Sequence, residues 1–568
     1  MQDEKAHVPN QSESPGLPPR QLQMGRPQEA SWELTPRQRE GLQLACGDFL
    51  TLSLHIPHPS PAAEARLEIY RPHGERSCQR IPMLAPKGSS YFTGTLSELL
   101  PGRYVLAGQY SLDGQQWFWV RGSPLELHVF PRQVKGLRMY TWIPNAQGPL
   151  SEWTGRLKDI AELGFTMIHI LPITLQGASQ SPYAARELFA FEPSLVRPGE
   201  DAHASWHDFV AEAQKLGLGL CLDLVVNHVA IDSVLVEHCP HWIQADEDEE
   251  DGFRRAGFEG PEGWQSWQDL VLLHYEHPDP KTRAEIWAYM QAYATHWAQF
   301  AAITGGMLRL DNLHSTPPDF ASTLTRSIRS SYPQVALLGE YFGQEEKAAE
   351  LMRSCEMDLL LATPWEHHFA HELRSYLSYL QASQGRLAWC CPINSHDSGP
   401  PAQEFASVAS TLPRYLLCAG LGTGATGLTQ GVERGLLKKI NFIGRQAEVI
   451  CDPHADFRES IRTIHQLLAR EPAFQQGSRL RFVDQNHNAV IAALRWHPED
   501  PEQHIFLLIA NLDIFQAQTV TIASEEIRPN ERTLFDLISG TQFLCDSHPL
   551  EISLEACGIR LFAVRKKL

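Results

Sequence analysis

The chain has 568 residues, of which 43% are hydrophobic and 20% charged, the composition of a globular protein with material for several domains. Its 48 Lys and Arg residues against 67 Asp and Glu residues give a formal net charge of −19. This charge argues against nucleic acid or an anionic membrane as a partner, because phosphates bind to fields of positive charge. The 11 Cys residues include no CxxC pair, and the N-terminus lacks the basic and apolar stretches of a signal peptide. We therefore expect a cytoplasmic protein with reduced thiols and no membrane partner.

A segment rich in Pro, Gln and Ser comes first. Residues 1–40 contain few aliphatic side chains, which predicts a disordered tail, because such a segment cannot bury enough apolar surface to fold. Short strand-like runs separated by turn residues follow, and Asp113-Gly114 stands between two of them as in a β-hairpin. We predict an N-terminal β-sandwich over residues 41–132.

An alternation of strands and helices fills residues 133–455. The strand-like run LRMYTWIP is followed by Leu157, Ile160 and Leu163 at helical spacing, and then by FTMIHILPI, an apolar run typical of a strand buried on both faces. At least seven such repeats occur, which predicts a parallel sheet, either closed as a (β/α)₈ barrel or open and doubly wound. Strand-like alternation without helices returns from about residue 480, and we place a C-terminal antiparallel β-domain at residues 456–568.

Four of the predicted parallel strands end in polar clusters. These clusters are Asp223-Leu-Val-Val-Asn227-His228, Arg309-Leu-Asp311-Asn312, Gly339-Glu340-Tyr341 and Asn394-Ser395-His396-Asp397. In a closed parallel barrel the carboxyl ends of all strands open on one face, so these side chains converge there. The clusters therefore favour an α/β fold with a (β/α)₈ TIM barrel between the two β-domains.

The residue types in these clusters limit the chemistry that they can perform. Neighbouring carboxylates raise each other's pKa, and an Arg among them keeps a chosen carboxylate ionised. One ionised nucleophile and one protonated acid, about 5–5.5 Å apart, are what retaining glycoside hydrolysis uses. A third acid and two His residues can bind sugar hydroxyls in such a site.

These blocks resemble the four signature regions of the α-amylase superfamily, glycoside hydrolase family 13, over roughly residues 137–450. The resemblance implies that Asp311 is the nucleophile, Glu340 the general acid and base, and Asp397 the acid that stabilises the transition state. It implies substrate contacts from six further residues, namely Tyr183, Asp223, His228, Arg309, His314 and His396. Among these, Tyr183 matches a residue that stacks on the reacting sugar, and His314 stands where it could reach an acceptor sugar.

The segment RLDNLHSTP, residues 309–317, is similar to the 4-α-glucanotransferase half of eukaryotic-type glycogen debranching enzymes. It is less closely similar to maltosyltransferases that use maltose 1-phosphate. The first interpretation is an α-amylase-type glycosidase that acts on α-1,4-glucans such as starch, glycogen and maltooligosaccharides. The alternative is a 4-α-glucanotransferase or maltosyltransferase with the same double displacement; a phosphorylated donor would need a basic pocket, for which Lys438 and Lys439 are candidates. An inactive glucan-binding protein is an alternative of another class, which the presence of Asp311 and Glu340 argues against.

For some residues the sequence leaves two roles open. Asp223 either touches the substrate or braces Arg309 through a buried ion pair. Trp264 and Trp267, in the long insertion after the third barrel strand, either stack on sugars or pack the loop. We predict no cofactor and no metal site, an α-glucan as the substrate, and leave the oligomeric state open.

Overall fold

The computed structural model describes residues 30–35, 38–39, 41–71, 78–260, 263–475, 477–498, 500, 504–523, 533–544 and 549–565. The chain divides into two compact units, Met1–Phe130 and Pro131–Leu568. Among the described residues, no helix combines the length and the apolar character needed to cross a membrane.

The first unit is built from two β-sheets that share one apolar core. Its strands are β1 (Ser31–Glu33), β2 (Leu42–Ala45), β3 (Leu50–His55), β4 (Glu64–Tyr70), β5 (Gln79–Met83), β6 (Tyr91–Leu96), β7 (Gly102–Ser111), β8 (Trp117–Trp119) and β9 (Leu125–Phe130). One sheet has the order β1-β3-β6 and the other β2-β9-β7-β4-β5, with β8 paired to β7. The core contains Leu52, Leu54, Leu67, Leu106 and Leu127, all fully buried. The predicted β-sandwich is confirmed, and Gly114 turns between β7 and β8 with a φ of 74° that favours glycine.

The predicted tail at residues 1–40 lies mostly outside the described residues, because the structure describes none of residues 1–29. Its last part contains β1, which pairs antiparallel with β3. The Trp32 side chain packs against the core of the first unit, an apolar contact that the average composition of the segment does not reveal. β1 therefore corrects the predicted tail boundary at residue 40.

The second unit begins with the predicted barrel. Its strands up to the barrel's closure are β10 (Arg138–Trp142), β11 (Met167–Ile170), β12 (Thr174–Gln176), β13 (Ala185–Phe191), β14 (Gly219–Leu224), β15 (His228–Ala230), β16 (Arg255–Gly260), β17 (Gly263–Leu272), β18 (Met307–Leu310), β19 (Ala336–Gly339), β20 (Leu359–Leu361), β21 (Trp389–Pro392) and β22 (Ala425–Thr429). Eight of them close a parallel barrel in the order β10-β11-β14-β18-β19-β20-β21-β22, and β22 pairs back to β10. The (β/α)₈ barrel is confirmed.

Helices alternate with the barrel strands. They are α1 (Thr154–Glu162), α2 (Ala202–Lys215), α3 (Val234–His238), α4 (Pro280–Thr304), α5 (Pro318–Ser331), α6 (Glu345–Ser354), α7 (Ala370–Ala382), α8 (Pro401–Glu404), α9 (Thr411–Leu421) and α10 (Arg458–Arg470). Local sequence sets their ends: the Asp279 side chain caps the first turn of α4, and Gly305 ends that helix with a φ of 63°.

Two excursions leave the barrel at the carboxyl ends of its strands. β12 and β13 form an antiparallel pair after β11. β15, β16 and β17 form a three-stranded sheet in the order β15-β17-β16 after β14. Both excursions lie on the side of the barrel where the polar clusters end, so they add walls to that face.

The chain ends in antiparallel β-structure. Its strands are β23 (Arg479–Phe482), β24 (Val490–Trp496), β25 (His504–Asn511), β26 (Gln518–Ile522), β27 (Thr533–Phe535), β28 (Gln542–Leu544), β29 (Leu550–Leu554) and β30 (Ile559–Arg565). The predicted boundary at residue 455 precedes α10, which follows the eighth barrel strand and buries Ile461, Ile464 and Leu468. The helix takes the place of the barrel's eighth helix, so the β-structure begins after residue 470.

Arg495 of β24 ties the C-terminal sheet to the barrel. Its guanidinium is fully buried and donates to the carbonyl oxygens of Ala473 at 3.1 Å and Gly422 at 2.7 Å and to the Gln381 side chain at 2.9 Å. These partners are uncharged, and burial lowers the pKa of Arg495 to about 9. Because the N–H groups of a guanidinium have fixed directions, these hydrogen bonds fix the orientation of the C-terminal sheet against the barrel.

His465 of α10 makes the stability of the second unit depend on pH. Its Nδ1 donates to the carbonyl of Leu163 at 2.7 Å, and its Nε2 bonds to the hydroxyl of Tyr415. Burial lowers the pKa of His465 to about 3. The unfolded chain therefore binds a proton at His465 that the folded chain excludes between about pH 6.5 and 3, and stability falls as the pH falls through that window.

We expect the free energy of unfolding, measured by urea titration at several pH values, to decrease from pH 7 towards pH 4. Each unit of pKa difference contributes about 1.4 kcal/mol. His465→Gln should be less stable at pH 7 and should show a shallower decrease. An equal slope in the variant would contradict this account of His465.

Candidate active site

The polar clusters converge because three of the strands that carry them are neighbours in the barrel. β18 lies between β14 and β19, and Asp223 stands directly beside Arg309 in the parallel register. Residues paired in this way point to the same face of a sheet, here the interior of the barrel. Asp311 and Glu340 each follow the last residue of their strand, so their side chains stand at its carboxyl end.

The Arg309 guanidinium is the centre of the site. Its Nη1 lies 2.7 Å from both oxygens of Asp223 and 3.0 Å from Oδ1 of Asp311. Its Nη2 lies 2.6 Å from Oε1 of Glu340. The Arg309 side chain is only 2% exposed, so one buried cation holds three carboxylates within hydrogen-bond distance.

Asp223 braces this cation. Its side chain is fully buried and also accepts a hydrogen bond from His169 Nε2 at 3.2 Å and one from the Tyr183 hydroxyl at 2.8 Å. Burial alone would raise the pKa of Asp223, but the charge of Arg309 and the hydrogen bond from His169 outweigh it and lower the pKa. Because both oxygens of Asp223 already accept hydrogen bonds, the interpretation that Asp223 holds Arg309 in place is favoured. A direct contact between Asp223 and the substrate stays a prediction.

Asp311 and Glu340 share the rest of the Arg309 guanidinium. Burial raises the pKa of Asp311 well above its usual value, the charges of Glu340 and Asp223 raise it further, and Arg309 acts in the opposite direction. Oε2 of Glu340 accepts the backbone N–H of Asn312 at 2.9 Å. The burial of Asp311 and the neighbouring negative charges thus oppose its ionisation, and the Arg309 cation favours it.

A second group faces this cluster from the other side of the site. The Tyr183 hydroxyl lies 2.7 Å from Nε2 of His396, and the two rings are stacked with centroids 5.4 Å apart. His396 Nε2 also lies 2.9 Å from Oδ2 of Asp397, whose side chain is 55% exposed. Burial would raise the pKa of Asp397, but the charge and hydrogen bond of His396 outweigh it and lower the pKa. Asp397 is therefore an ionised carboxylate at the open side of the site.

His228 and His314, the two remaining predicted site residues, differ in how far they are buried. His228 is buried, its Nε2 donates to the carbonyl oxygen of Tyr183 at 3.2 Å, and burial lowers its pKa to about 4, so it is neutral at pH 7. His314 is exposed on the short turn after β18, with its ring 6.3 Å from that of Tyr341 and 6.2 Å from that of Phe342. His314 thus lies at the edge of the site rather than among the carboxylates.

Three further residues belong to the candidate site although the sequence analysis assigned them no role. His169 and Asn312 carried a signal, since one is a lone polar residue in an apolar strand and the other follows Asp311 in the left-handed conformation that Asn tolerates. Phe442 packs edge-on against the rings of both Tyr183 and His396, at 5.9 and 5.4 Å. It comes from the long loop after β22, where the sequence shows no pattern that points to the site.

Lys439, which the sequence analysis named as a candidate for binding a phosphorylated donor, lies on the same loop. Its ammonium group donates to the backbone carbonyl of Asp397 at 2.7 Å, so it stands at the edge of the site.

No group of three or more His, Cys, Asp or Glu residues suited to a metal ion occurs in the part of the chain that the structure describes. The site presents two neighbouring acids, Asp311 and Glu340, an adjacent cation, Arg309, and an ionised carboxylate, Asp397, at its open side, which are groups that can serve in acid–base and nucleophilic chemistry.

Comparisons with known proteins show what the chain resembles. A family model of the glucanotransferase domain of glycogen debranching enzyme matches residues 132–244. The alpha-1,4-glucan:maltose-1-phosphate maltosyltransferase of Myxococcus xanthus is 23% identical over 399 residues, which are 64% of this chain and 56% of that enzyme. The enzyme of the same name from Rhodospirillum rubrum is 26% identical over 243 residues, 39% of this chain and 33% of that enzyme. The chain thus spans between a third and about three fifths of the length of these relatives.

Solved structures match over a larger share of the chain. An alpha-amylase from Lactobacillus plantarum matches with a TM-score of 0.60 and 18% identity, covering 75% of this chain and 98% of that one. A cyclomaltodextrinase matches with a TM-score of 0.61 and 16% identity, covering 94% of this chain and 99% of that one. The resemblance to the α-amylase superfamily is confirmed. The structural matches support the fold alone, and in this barrel fold the Arg309 cluster stands at the carboxyl ends of the strands.

The Arg309 cluster predicts a large effect on stability. Arg309→Met would leave Asp223, Asp311 and Glu340 buried without their cation, which costs about 3–5 kcal/mol when one partner of a buried ion pair is removed. We expect urea unfolding at pH 7 to show a loss of this size, and the loss to shrink as the pH falls and the carboxylates become neutral.

The control is Lys158→Met, which removes an exposed Lys that pairs with Glu162 on α1. It should change the free energy of unfolding by less than about 0.5 kcal/mol. A loss in Arg309→Met that stays constant from pH 7 to pH 4 would contradict the role assigned to the three carboxylates.

Proposed function

We propose that this protein is a retaining enzyme of α-1,4-glucans that transfers a glycosyl group from one glucan to a sugar hydroxyl of another. The observation that carries the proposal is the contact of one buried guanidinium with Asp223, Asp311 and Glu340. A fixed cation between a nucleophile and an acid supports double displacement, because it keeps the two carboxyl groups close and orders their charges.

In the first step a carboxylate oxygen of Asp311 attacks the anomeric carbon of the donor sugar. The bond between that carbon and the glycosidic oxygen breaks, and Glu340 gives its proton to the leaving oxygen. The product is a β-glycosyl ester on Asp311 and a shortened glucan. In the reactive form Glu340 carries the proton that it donates and Asp311 carries a negative charge, beside the positive charge of Arg309.

In the second step Glu340 acts as a base. It takes the proton of an acceptor hydroxyl, whose oxygen attacks the anomeric carbon and releases Asp311, so that the α configuration returns. Asp397 and His396 bind hydroxyls of the donor sugar, and Tyr183 stacks against its ring. These contacts favour the transition state if they tighten as the ring flattens and positive charge develops.

The choice of a sugar rather than water as the acceptor rests on two supports. The matched family model describes a glucanotransferase domain, and the curated relatives named above are glycosyltransferases. His314, Tyr341 and Phe342 form a partly exposed aromatic group directly after the nucleophile and the acid, where an acceptor sugar would approach. Hydrolysis, the first interpretation of the sequence, uses the same intermediate and differs only in the acceptor.

A phosphorylated donor is a second candidate. The relatives' names specify maltose 1-phosphate, and the Lys439 ammonium lies at the mouth of the site beside Asp397. Such a donor would break its bond to phosphate in the first step and need less help from Glu340, because phosphate is a better leaving group than a sugar alkoxide.

A time course on maltoheptaose, with products separated by length and reducing ends counted, tests the proposal. We expect longer and shorter maltooligosaccharides together and a constant number of reducing ends. Asp311→Asn should lower the rate by at least about a thousandfold while the thermal unfolding midpoint stays close to that of the parent protein.

Three other outcomes would each support a different function. Rising reducing ends with only shorter products would identify a hydrolase. Phosphate release from maltose 1-phosphate, without reaction of maltoheptaose alone, would identify a maltosyltransferase. Binding of maltoheptaose without any turnover in either assay would support an inactive glucan-binding protein.

The pH dependence of kcat/KM gives an independent test. The charge of Asp223 raises the pKa of Asp311, so Asp223→Asn should lower that pKa. Because Asp311 reacts as an ionised nucleophile, we expect a reduced kcat/KM whose low-pH limb moves to lower pH. Glu345→Gln, which removes an exposed charge paired with Arg386, should leave the limb in place. A shift to higher pH in Asp223→Asn would contradict the assignment.

A further inference from the structure

The hairpin formed by β16 and β17 carries an exposed aromatic face. Phe258 pairs with Gln265 in the antiparallel register, and Trp267 lies two residues further along β17, so all three side chains are on the same face. The rings of Phe258 and Trp267 have centroids 5.5 Å apart, and each residue is 37% exposed. We call these three residues the hairpin face.

The hairpin face adjoins the active site. The Trp267 ring lies 6.5 Å from that of His228. His228 is buried, and it donates a hydrogen bond to the carbonyl oxygen of Tyr183. An exposed hydrophobic residue by itself requires no explanation, but two in contact at the rim of a buried polar site form a patch of the kind that binds ligands.

The hairpin is held at its base by an ion pair. Both Nη atoms of Arg255, the first residue of β16, donate to the two carboxylate oxygens of Asp251, at 2.9 and 2.8 Å. Arg255 also donates to the carbonyl oxygen of Phe253 at 2.9 Å. A bidentate contact of this kind fixes the direction in which the chain enters β16. β17 pairs with β15, the strand that begins at His228, and this pairing connects the hairpin to the site.

We propose that the hairpin face binds a glucose unit of the glucan chain beyond the unit that reacts, a proposal that rests on the proposed function for the nature of the ligand. The two aromatic rings offer surfaces on which the C–H faces of a pyranose ring pack. The Gln265 amide, on the same face, donates to and accepts from sugar hydroxyls. Trp267 and Phe258 then determine how strongly longer glucans bind, while the acids of the Arg309 cluster determine the reaction.

The role of Trp267 can be measured without turnover. In an Asp311→Asn background, isothermal titration calorimetry with maltoheptaose should show binding that Trp267→Ala weakens roughly tenfold, the loss typical of a buried aromatic contact. Phe258→Ala should weaken it by a smaller factor, and Trp267→Phe should recover most of the affinity because it restores a ring at the same position.

Two controls separate this proposal from its alternatives. 1-Deoxynojirimycin, a single-ring analogue of the reacting sugar, should bind to Trp267→Ala and to its parent with affinities within about twofold. Phe515→Ala, which removes an aromatic side chain 85% exposed in the C-terminal β-structure, should leave the affinity for maltoheptaose unchanged.

Equal loss of maltoheptaose and 1-deoxynojirimycin affinity in Trp267→Ala would overturn the proposal, since Trp267 would then support His228 and not a second sugar. Unchanged maltoheptaose affinity in Trp267→Ala would also overturn it while leaving the proposed function intact. Absence of maltoheptaose binding to the Asp311→Asn parent would contradict the proposed function and this proposal together.

Discussion

One buried cation sets the arrangement of this protein's candidate active site. Three carboxylates cannot lie together in a buried pocket unless a positive charge offsets them, because each would otherwise become neutral or move apart. Arg309 supplies that charge from the middle strand of three adjacent strands. Both oxygens of Asp223 contact Nη1 of the guanidinium and Asp223 stays ionised, while the same Nη1 reaches Asp311 and Nη2 reaches Glu340. The proposed division into one bracing acid and two reactive acids rests on this geometry.

The barrel makes such an arrangement possible with residues that are far apart in the chain. The parallel register places Asp223 beside Arg309. Asp311 and Glu340 each follow directly after the last residue of their own strand, at the rim of the barrel. Loops then complete the site from outside the barrel: Tyr183 comes from the excursion after β11, Trp267 from that after β14, and Phe442 from the loop after β22. The barrel fixes the acids within hydrogen-bond distance, and the loops shape what can reach them.

The same division explains how much the sequence could predict. Strands buried on both faces and polar residues at their ends identify the barrel and the acids of the site, since both patterns are local and repeat along the chain. Phe442 could not be found in this way, because a long loop brings it to His396 without any local pattern. Lys439, on the same loop, was a candidate only for a phosphate contact, and its hydrogen bond to the Asp397 carbonyl is known only from the fold. The tail boundary at residue 40 was wrong for a related reason: Trp32 packs against the core of the first unit, a distant contact that composition does not register. His169 was visible as a lone polar residue in an apolar strand, but its partner Asp223 is known only from the fold.

The central claim is that Asp311 is the nucleophile of a double displacement, and identification of the covalent intermediate tests it most directly. Glu340→Gln can be incubated with α-maltosyl fluoride, from which fluoride leaves without a protonated acid while the missing base slows the second step. The protein is then digested and its peptides are analysed by mass spectrometry. The account predicts a maltosyl ester on Asp311, absent from a Glu340→Gln sample that also carries Asp311→Asn. A maltosyl ester on Asp397 or Asp223, or rapid turnover of the fluoride by the double variant, would contradict it.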